Sequence, residues 1–372
     1  MTPVEPLAQG ILERNPKGFG FLRDPKKNFR VQPADAYVPG LFIDKYNLAD
    51  GVMLAGPLEK LRPGVGPRLA SVTSIEGGDP DAYKRRKWDD LTAVDPSKKI
   101  NLESGPEPLT TRVMDMFTPI GMGQRGLIVA PPRTGKTVLL QHIANSVIAN
   151  HPDMHLIVLL IDERPEEVTE MKRNIKGEVF ASSSDSDTVS HLKLAEKIIE
   201  RAKRLAEAGK DCLVLLDSIT RLARAYNKHS GSGKTMSGGV DSRAMEVPKR
   251  LFGSARAFEE GGTLTILGTC LVETGSRMDD VIFQEFKGTG NMELVLDRAL
   301  AERRIYPAIN LGASGTRKEE RLLAPEVLER ITLLRRSLMQ LKPIEAMEGV
   351  VKQLQKTKTN AEFLDIVSKF VK

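Results

Sequence analysis

The sequence predicts an α/β core built on a parallel β-sheet and preceded by a small all-β domain. From about residue 109 onward, short continuous apolar runs alternate with stretches of helical period, as in buried parallel strands separated by helices. Before residue 76, many short extended segments are broken by Gly and Pro, as in a small barrel or sandwich. The length of 372 residues suits two or three domains.

We therefore expect a β-domain over residues 1–76, a linker over 77–108, and an α/β domain with C-terminal helices over 109–372. The linker is predicted because GGDPDAYKRRKWDD and SGPEP are polar, charged and interrupted by proline. The predicted core strands are uninterrupted apolar runs, at 126–130, 156–161, 178–182, 212–216 and 264–269. The KRRK run within the linker is best explained as solvated charge.

Composition excludes several classes of protein. With 40% hydrophobic and 28% charged residues, the chain is neither disordered nor collagen-like. Cys212 and Cys270 are too few for a disulfide framework or a metal cluster. No apolar run reaches membrane-spanning length, and the N-terminus lacks a signal pattern, so we expect a cytoplasmic protein without membrane contact. A net charge of +6 permits a nucleic-acid partner without requiring one.

The sequence APPRTGKT, at residues 130–137, directly follows an apolar strand and opens a helix. In such a loop the backbone N–H groups wrap phosphates, Lys136 reaches the β- and γ-phosphate oxygens, and Thr137 supplies a Mg²⁺ ligand. Ala130 replaces the first glycine of the usual pattern, and an ordinary strand–helix turn is the alternative. The order of strand, loop and helix favours nucleotide binding. The expected nucleotide contacts are Arg133, Thr134, Gly135, Lys136, Thr137 and Val138.

A second GKT, at residues 233–235, lies in a basic glycine-rich stretch that no strand precedes. We interpret it as a flexible loop rather than a phosphate site. The residues themselves leave open whether this loop is a solvated linker or a nucleic-acid contact.

Two carboxylates follow predicted strands. Asp217 ends one strand, where a Mg²⁺ shell needs a carboxylate. Glu163 ends another strand and can orient and deprotonate an attacking water, although a solvated strand end is the alternative. Arg317 lies in the polar loop SGTRKEE, where it either acts on a neighbouring subunit's γ-phosphate or is a surface charge. The sequence alone favours a surface charge.

The hairpin sequence GFGFLR places Phe19 and Phe21 on one strand face, which Arg23 continues. Two exposed aromatics and a cation form a platform on which single-stranded bases stack. The alternative is that both rings fill the barrel core, and periodicity supports it equally. Flanking glycines together with Lys17 and Arg23 favour an outward orientation.

Several long motifs resemble those of the bacterial Rho family of transcription termination factors, over nearly the whole chain. They are GFGFLR, IDERPEEVTEM, LLDSITRLARAYN, SGGVDSRAMEVPKR, QEFKGTGNMEL and SGTRKEE. The resemblance implies a RecA-like P-loop ATPase core, with helices on both faces of the sheet, after an OB-fold or cold-shock-like barrel. It also implies a homohexameric ring that uses ATP and Mg²⁺, moves along single-stranded RNA and releases transcripts from RNA polymerase.

The resemblance also implies roles for individual residues. Glu163 is the catalytic carboxylate, Lys136 the phosphate-loop lysine, Asp217 the Mg²⁺-site aspartate beside Thr137, and Arg317 an arginine finger acting in trans. Further residues at the nucleotide are Gly121, Met122, Gly123, Gln124, Arg125, Gly126, Arg164 and Arg221. The primary RNA site comprises Gly18, Phe19, Gly20, Phe21, Leu22, Arg23, Asp35, Ala36 and Tyr37. The RNA channel comprises Lys234, Thr235, Met236, Ser237, Gly238 and Gly239, with Arg277, Lys287 and Gly288 from the segment 277–290.

Two departures from the family pattern concern the primary RNA site. The barrel starts almost at once, without a preceding helical segment, and the loop PGVGPR at 63–68 lacks the acidic and aromatic residues that the family uses for a second base. We therefore expect primary-site binding that is weaker or differently selective.

Two other functions are alternatives to an RNA-stimulated ATPase. A DNA translocase or rotary-type ATPase would share the core and differ in its activator. A passive RNA-binding protein would use the nucleotide structurally, and the presence of Glu163 beside Lys136 and Asp217 argues against it.

Overall fold

The computed structural model describes residues 7–59, 66–230 and 237–370 of the chain. These residues form two compact units. The first unit contains the described residues up to Thr92 together with 193–210 and 259–262, and the second unit contains the rest.

The segment 77–108, expected as a linker, is divided between the two units. In the first unit, buried Trp88 donates its backbone N–H to Glu207 Oε1 at 2.7 Å. In the second unit, the backbone N–H of buried Leu102 donates to Asp115. Sequence polarity did not reveal these contacts because the acceptors lie elsewhere in the chain.

The first unit is a small barrel of antiparallel strands with one short helix. Its elements are β1 (Leu7–Arg14), β2 (Gly20–Arg23), β3 (Tyr37–Val38), α1 (Gly40–Lys45), β4 (Met53–Pro57) and β5 (Ser74–Ile75). The strand order is β3-β2-β1-β4-β5. Residues 68–69 close the sheet, because Arg68 bridges Tyr37 in parallel and Leu69 bridges Leu58. Parallel closure of a five-stranded sheet is the arrangement expected of an OB-type barrel.

The second unit contains the α/β core. Its strands are β6 (Ala93–Val94), β7 (Lys99–Ile100), β8 (Ile120–Gly121), β9 (Arg125–Ala130), β10 (His155–Glu163), β11 (Glu178–Ser183), β12 (Asp211–Asp217), β13 (Arg256–Phe258), β14 (Thr263–Leu271), β15 (Met292–Val295) and β16 (Gly315–Thr316). Its helices are α2 (Leu109–Phe117), α3 (Lys136–Asn150), α4 (Pro165–Asn174), α5 (Thr188–Glu207, continuing into the first unit), α6 (Ile219–His229), α7 (Glu246–Phe252), α8 (Arg277–Phe286), α9 (Arg298–Glu302), α10 (Pro325–Leu338), α11 (Pro343–Leu354) and α12 (Asn360–Phe370).

The main sheet has the order β11-β10-β12-β14-β9-β15-β16. Pairing is parallel from β11 through β15, while β16 joins antiparallel. The central strands are almost wholly inaccessible; Val158, Val214 and Ile266 are each fully buried. Continuous burial is expected of parallel strands covered on both faces. The predicted fold class is therefore confirmed, and each of the five predicted core strands is present.

The sheet has two functionally different edges. Parallel strands place their carboxyl ends together, so the ends of β9, β10 and β12 share one edge, where ligands of open α/β sheets bind. The amino ends of β9 and β15 lie at the opposite edge, together with the segment that follows β16. None of the described helices is long and apolar enough to cross a membrane.

Candidate nucleotide and nucleic-acid sites

The phosphate loop lies between the end of β9 and the start of α3. Gly135 has a φ of 85°, in the left-handed region that favours glycine, and this turns the chain into the helix. Buried Thr134 donates its hydroxyl to the backbone oxygen of Pro131 at 2.7 Å, which fixes the loop. The first-turn N–H groups of α3 have no acceptor within the helix, so they are available to an anion.

Lys136 holds two buried carboxylates at this edge of the sheet. Its Nζ lies 2.6 and 2.5 Å from the two carboxylate oxygens of Asp217 and 3.4 Å from Glu163 Oε2. Both carboxylates belong to residues that are only 2% exposed. Thr269 donates its hydroxyl to Asp217 Oδ1 at 2.7 Å. The three predicted residues Lys136, Glu163 and Asp217 are thus brought together.

A β-bulge places Glu163. The register between β10 and β11 shifts between Ile161 and Glu163, and Asp162 takes a φ of 55°. An extra residue re-aims the side chain that follows it, here into the site. Arg221 Nη1 then binds Glu163 Oε1 at 2.7 Å and the backbone oxygen of Asp162 at 2.6 Å. Burial lowers the pKa of Arg221, but the bond to Glu163 and the charges of Glu163, Asp217 and Asp162 together outweigh burial, so the pKa is raised.

Arg164 and Glu167 lie at the start of α4, beside the same carboxylates. The Arg164 side chain is exposed, and its backbone N–H donates to Glu163 Oε1 at 3.1 Å. Burial raises the pKa of Glu167, and the charges of Glu163 and Asp217 raise it further. Glu167 was not predicted, because its approach to the site depends on the packing of α4 against β10.

The oxygen ligands expected for Mg²⁺ are Thr137, in the first turn of α3, and Asp217. A hydroxyl and a carboxylate are the hard oxygen donors that Mg²⁺ prefers, and this ion commonly takes one or two protein ligands with phosphates and waters. In the described part of the chain, no three His, Cys, Asp or Glu side chains converge to hold a metal. The donor set fits Mg²⁺ that arrives with a nucleotide and does not fit a resident metal cluster.

An apolar cavity of about 280 Å³ adjoins the phosphate loop. Tyr306 is 44% exposed and forms one wall, with its ring against Gly135. Val138 and His142 form another part of the lining, and His142 Nδ1 lies 3.0 Å from Thr110 Oγ1. Burial lowers the pKa of His142. The cavity has the size and lining of a site for a planar base, and sequence reasoning missed it.

Residues 121–126 lie at the opposite end of β9 from the phosphate loop. The strand begins at Arg125 and has six residues, so about 20 Å separates this turn from the loop. The backbone N–H of Gly123 donates to Thr265 Oγ1 at 2.8 Å. The residues expected at the nucleotide therefore lie away from the phosphate loop of their own chain; they are Gly121, Met122, Gly123, Gln124, Arg125 and Gly126.

Arg317 follows β16 at that same far edge. Its side chain is exposed, and its backbone N–H donates to the oxygen of Asn291 at 2.8 Å. Arg317 lines a polar cavity of about 500 Å³ together with Lys287 and Gly288. The length of β9 places Arg317 beyond the reach of phosphates bound at its own loop.

Lys287 and Gly288 lie at the opposite end of α8 from Arg277. Arg277 begins α8 and Lys287 follows its end, so about 15 Å of helix separates them. A Cβ on Gly238 would lie 2.8 Å from the backbone oxygen of Arg277, so the turn at Ser237, Gly238 and Gly239 contacts the start of α8. Lys234, Thr235 and Met236 lie outside the described residues.

Three aromatic side chains cluster on the outer surface of the barrel. The ring centroids of Phe19 and Phe21 are 5.8 Å apart, and Tyr37 lies 5.3 Å from the first and 5.9 Å from the second. All three residues are half-buried, and none belongs to the buried core cluster of the barrel. We call these three rings the aromatic platform. Gly18 and Gly20 flank Phe19 in the hairpin that carries it.

Two expectations for the platform require correction. Arg23 is only 8% exposed and is ion-paired to both Glu13 and Asp35, so it is not the free cation that the sequence suggested. Leu22 and Ala36 are 4% and 3% exposed and belong to the barrel core. Their side chains cannot contact RNA on the outer face.

Comparison with known families gives two matches that together cover most of the chain. Residues 8–81 match the Rho termination factor, RNA-binding domain. Residues 110–316 match the ATP synthase alpha/beta family, nucleotide-binding domain. The two matched ranges lie on either side of residue 92, where the first unit gives way to the second.

Two similar curated proteins are bacterial. Transcription termination factor Rho of Pseudomonas aeruginosa is 51% identical over 364 residues, covering 96% of this chain and 86% of that protein. Transcription termination factor Rho of Aquifex aeolicus is 50% identical over 366 residues, covering 96% and 84%.

Similar solved structures are more distant in sequence. A type III secretion system ATPase of pathogenic bacteria has a TM-score of 0.65 at 22% identity, covering 85% of this chain and 94% of that chain. ATPase EscN of enteropathogenic E. coli has a TM-score of 0.62 at 22% identity, covering 85% and 79%. At this identity the likeness shows the fold alone.

Replacing Tyr306 tests the base cavity. Tyr306→Ala should weaken nucleotide binding by about 1–3 kcal/mol, or roughly 5- to 150-fold in Kd, because a stacking surface is lost. Tyr306→Phe keeps the ring and should bind as the native chain does. Titration with a fluorescent ATP analogue measures both. An unchanged Kd for Tyr306→Ala would show that the nucleotide base does not bind in this cavity.

Proposed function

The chain belongs to the family of transcription termination factor Rho, and from that premise we propose that it is a homohexameric, RNA-stimulated ATPase that translocates along single-stranded RNA. It acts in the cytoplasm and releases nascent transcripts from RNA polymerase. The observation that carries the proposal is the buried cluster of Lys136, Glu163 and Asp217 at the end of a phosphate loop, in a chain that also carries an aromatic platform.

Each residue of the cluster has a distinct part in hydrolysis. Lys136 exchanges its bond with Asp217 for the β- and γ-phosphate oxygens of ATP. Glu163, anchored by Arg221, accepts a hydrogen bond from the attacking water and takes its proton as the new bond to the γ-phosphorus forms. The bond from the γ-phosphorus to the β,γ-bridging oxygen breaks in the same displacement, and ADP leaves with that oxygen. Arg164 lies exposed beside them and faces the incoming phosphates.

Mg²⁺ bound with ATP supplies electrostatic stabilisation of the phosphoryl oxygens. Thr137 and Asp217 would be the residues that hold this ion, through a hydroxyl and a carboxylate, with Asp217 made available when Lys136 turns to the phosphates. Thr269 keeps the Asp217 carboxylate oriented through its hydroxyl bond at 2.7 Å.

Arg317 completes the site of a neighbouring subunit. It lies at the sheet edge opposite the phosphate loop, in one cavity with Lys287. Two exposed cations at that edge suit the γ-phosphate of the next subunit's ATP. A head-to-tail ring places this edge of each subunit against the phosphate-loop edge of the next. The turn at 121–126 then adjoins the neighbour's nucleotide, which accounts for its distance from its own.

RNA binding is assigned to two surfaces. The aromatic platform of Phe19, Phe21 and Tyr37 stacks bases at the primary site. The turn at 237–239 and Arg277 meet in the second unit and form part of the channel surface that grips RNA. Hydrolysis at the subunit interfaces moves these surfaces along the strand.

RNA-dependent hydrolysis is the direct test of this function. ATP hydrolysis should rise several-fold with single-stranded RNA and should not respond to DNA of the same sequence, because the 2′-hydroxyl distinguishes the two. A steady-state phosphate-release assay with no nucleic acid, RNA and DNA measures this.

The matched control is Glu163→Gln, which should bind ATP but lose about 10²–10⁴ in turnover. Equal stimulation by DNA would favour a DNA translocase. No hydrolysis under any condition would favour the passive RNA-binding protein.

Subunit mixing tests the role of Arg317 in trans. Arg317→Ala and Lys136→Ala chains should each be inactive alone, with losses on the order of 10³ or more. An equal mixture should regain activity, because about one quarter of interfaces in a randomly mixed ring carry both intact halves. Phosphate release after co-refolding, with ring assembly verified by light scattering, measures this. Assembled rings that regain no activity would place Arg317 outside the neighbour's site.

A further inference from the structure

The segment 312–317, which ends at Arg317, separates two cavities. On one side is the polar cavity that Arg317 lines, and on the other is an apolar cavity of about 410 Å³. Gly312 lines both of them. The first four residues of the segment are Gly, Ala, Ser and Gly, and atoms that face a cavity have no partner atoms on that side. Side-chain packing therefore gives this segment little support.

The chain turns directly after Arg317. Pairing with β15 holds the backbone up to Thr316, but Lys318 has a φ of 57°, in the left-handed region that non-glycine residues rarely adopt. Such a conformation persists only where surrounding contacts hold it. Lys318 Nζ binds Asp95 at 2.7 Å, but these side chains are 54% and 37% exposed, and exposed ion pairs contribute little. A better shielded contact is needed to hold the turn.

Arg335, in α10, contacts the chain on both sides of Arg317. Its Nη1 donates to the backbone oxygen of Ser314 at 3.2 Å, and its Nη2 lies 3.2 Å from Glu319 Oε2. Its Nη2 also donates to the backbone oxygen of Phe117, and the guanidinium carbon lies 5.2 Å from the centroid of that ring. Arg335 and Glu319 are both half-buried. The planar fork of donors in one guanidinium thus joins α2, α10 and both ends of the turn.

We infer that Arg335 is a positioning residue for Arg317. By fixing Ser314 and Glu319, it determines the direction in which the exposed Arg317 side chain leaves the segment and enters the polar cavity. The phosphate loop of the same chain lies at the other edge of the sheet, about 20 Å away along β9, so loss of Arg335 should leave that loop intact. The inference rests on the proposed role of Arg317 in trans.

Steady-state kinetics give the first readout. Arg335→Ala should lower the kcat of RNA-stimulated hydrolysis by about 10²-fold, as expected when a group at the reacting phosphate is misplaced. The KM for ATP should change little, because an arginine finger acts mainly in the transition state.

Subunit mixing distinguishes positioning of Arg317 from a general structural role. An equal mixture of Arg335→Ala and Lys136→Ala chains should regain as much activity as the mixture of Arg317→Ala and Lys136→Ala. In both mixtures some interfaces combine an intact phosphate loop with an intact Arg317 segment. An equal mixture of Arg335→Ala and Arg317→Ala chains should regain none, because both chains lack the same half of the site. A general folding defect would impair both halves and would not produce this pattern.

Two further variants control the experiment. Arg336→Ala removes the exposed neighbouring cation on the same helix and should hydrolyse ATP at the native rate. Glu319→Ala leaves α10 unchanged and removes one anchor of the turn. It should show a smaller loss than Arg335→Ala with the same pattern of recovery in mixtures, and it decides the question if Arg335→Ala chains do not assemble.

The remaining outcomes separate this inference from the proposed function. A native kcat for Arg335→Ala would overturn the positioning role. So would assembled rings that recover with Arg317→Ala or fail to recover with Lys136→Ala, while the mixture of Arg317→Ala and Lys136→Ala regains activity. If that last mixture regains no activity, Arg317 has no role in trans and the positioning role of Arg335 is overturned with it.

Discussion

The structure depends on one buried electrostatic constraint, the placement of Glu163 and Asp217 beside each other at the carboxyl edge of the sheet. Both residues are only 2% exposed, so water cannot solvate the charge of either carboxylate. Lys136 and Arg221 supply the matching positive charge. Removing one partner of a buried pair costs about 3–5 kcal/mol, because the other is left uncompensated. An incoming triphosphate would compete for Lys136 and leave the Asp217 carboxylate available for its proposed role at the metal.

In the proposed ring, the two edges of the same sheet serve two different nucleotide sites. The carboxyl edge holds the phosphate loop, the catalytic carboxylate and the base cavity beside Tyr306. The amino edge holds Arg317 and Lys287, a full strand length away. Neither edge alone has both the phosphate loop and the exposed cations Arg317 and Lys287. In the proposed ring, this separation gives a physical reason for assembly, because hydrolysis would then require residues from two subunits.

The sequence predicted the features that local pattern determines. Apolar runs located the core strands, and the order of strand, loop and helix located Lys136 and Thr137. Strand ends pointed to Glu163 and Asp217. The features that the sequence did not reveal depend on side-chain contacts with residues far along the chain. Arg23, for example, looks exposed in the sequence, and its ion pair with Asp35 becomes apparent only in the fold. Tyr306 is one of several aromatics in the second unit, so no sequence signal singled it out, and its position beside Gly135 is apparent only in the fold.

The proposed role of Asp217 as a Mg²⁺-site carboxylate is tested most directly by the magnesium dependence of hydrolysis. The Mg²⁺ concentration giving half-maximal RNA-stimulated phosphate release is compared between the native chain and Asp217→Asn at saturating ATP. The half-maximal Mg²⁺ concentration should rise about 10- to 100-fold in Asp217→Asn, as expected when an oriented carboxylate at a metal is removed. An unchanged half-saturating concentration would contradict it and leave Asp217 as a structural partner of Lys136 alone.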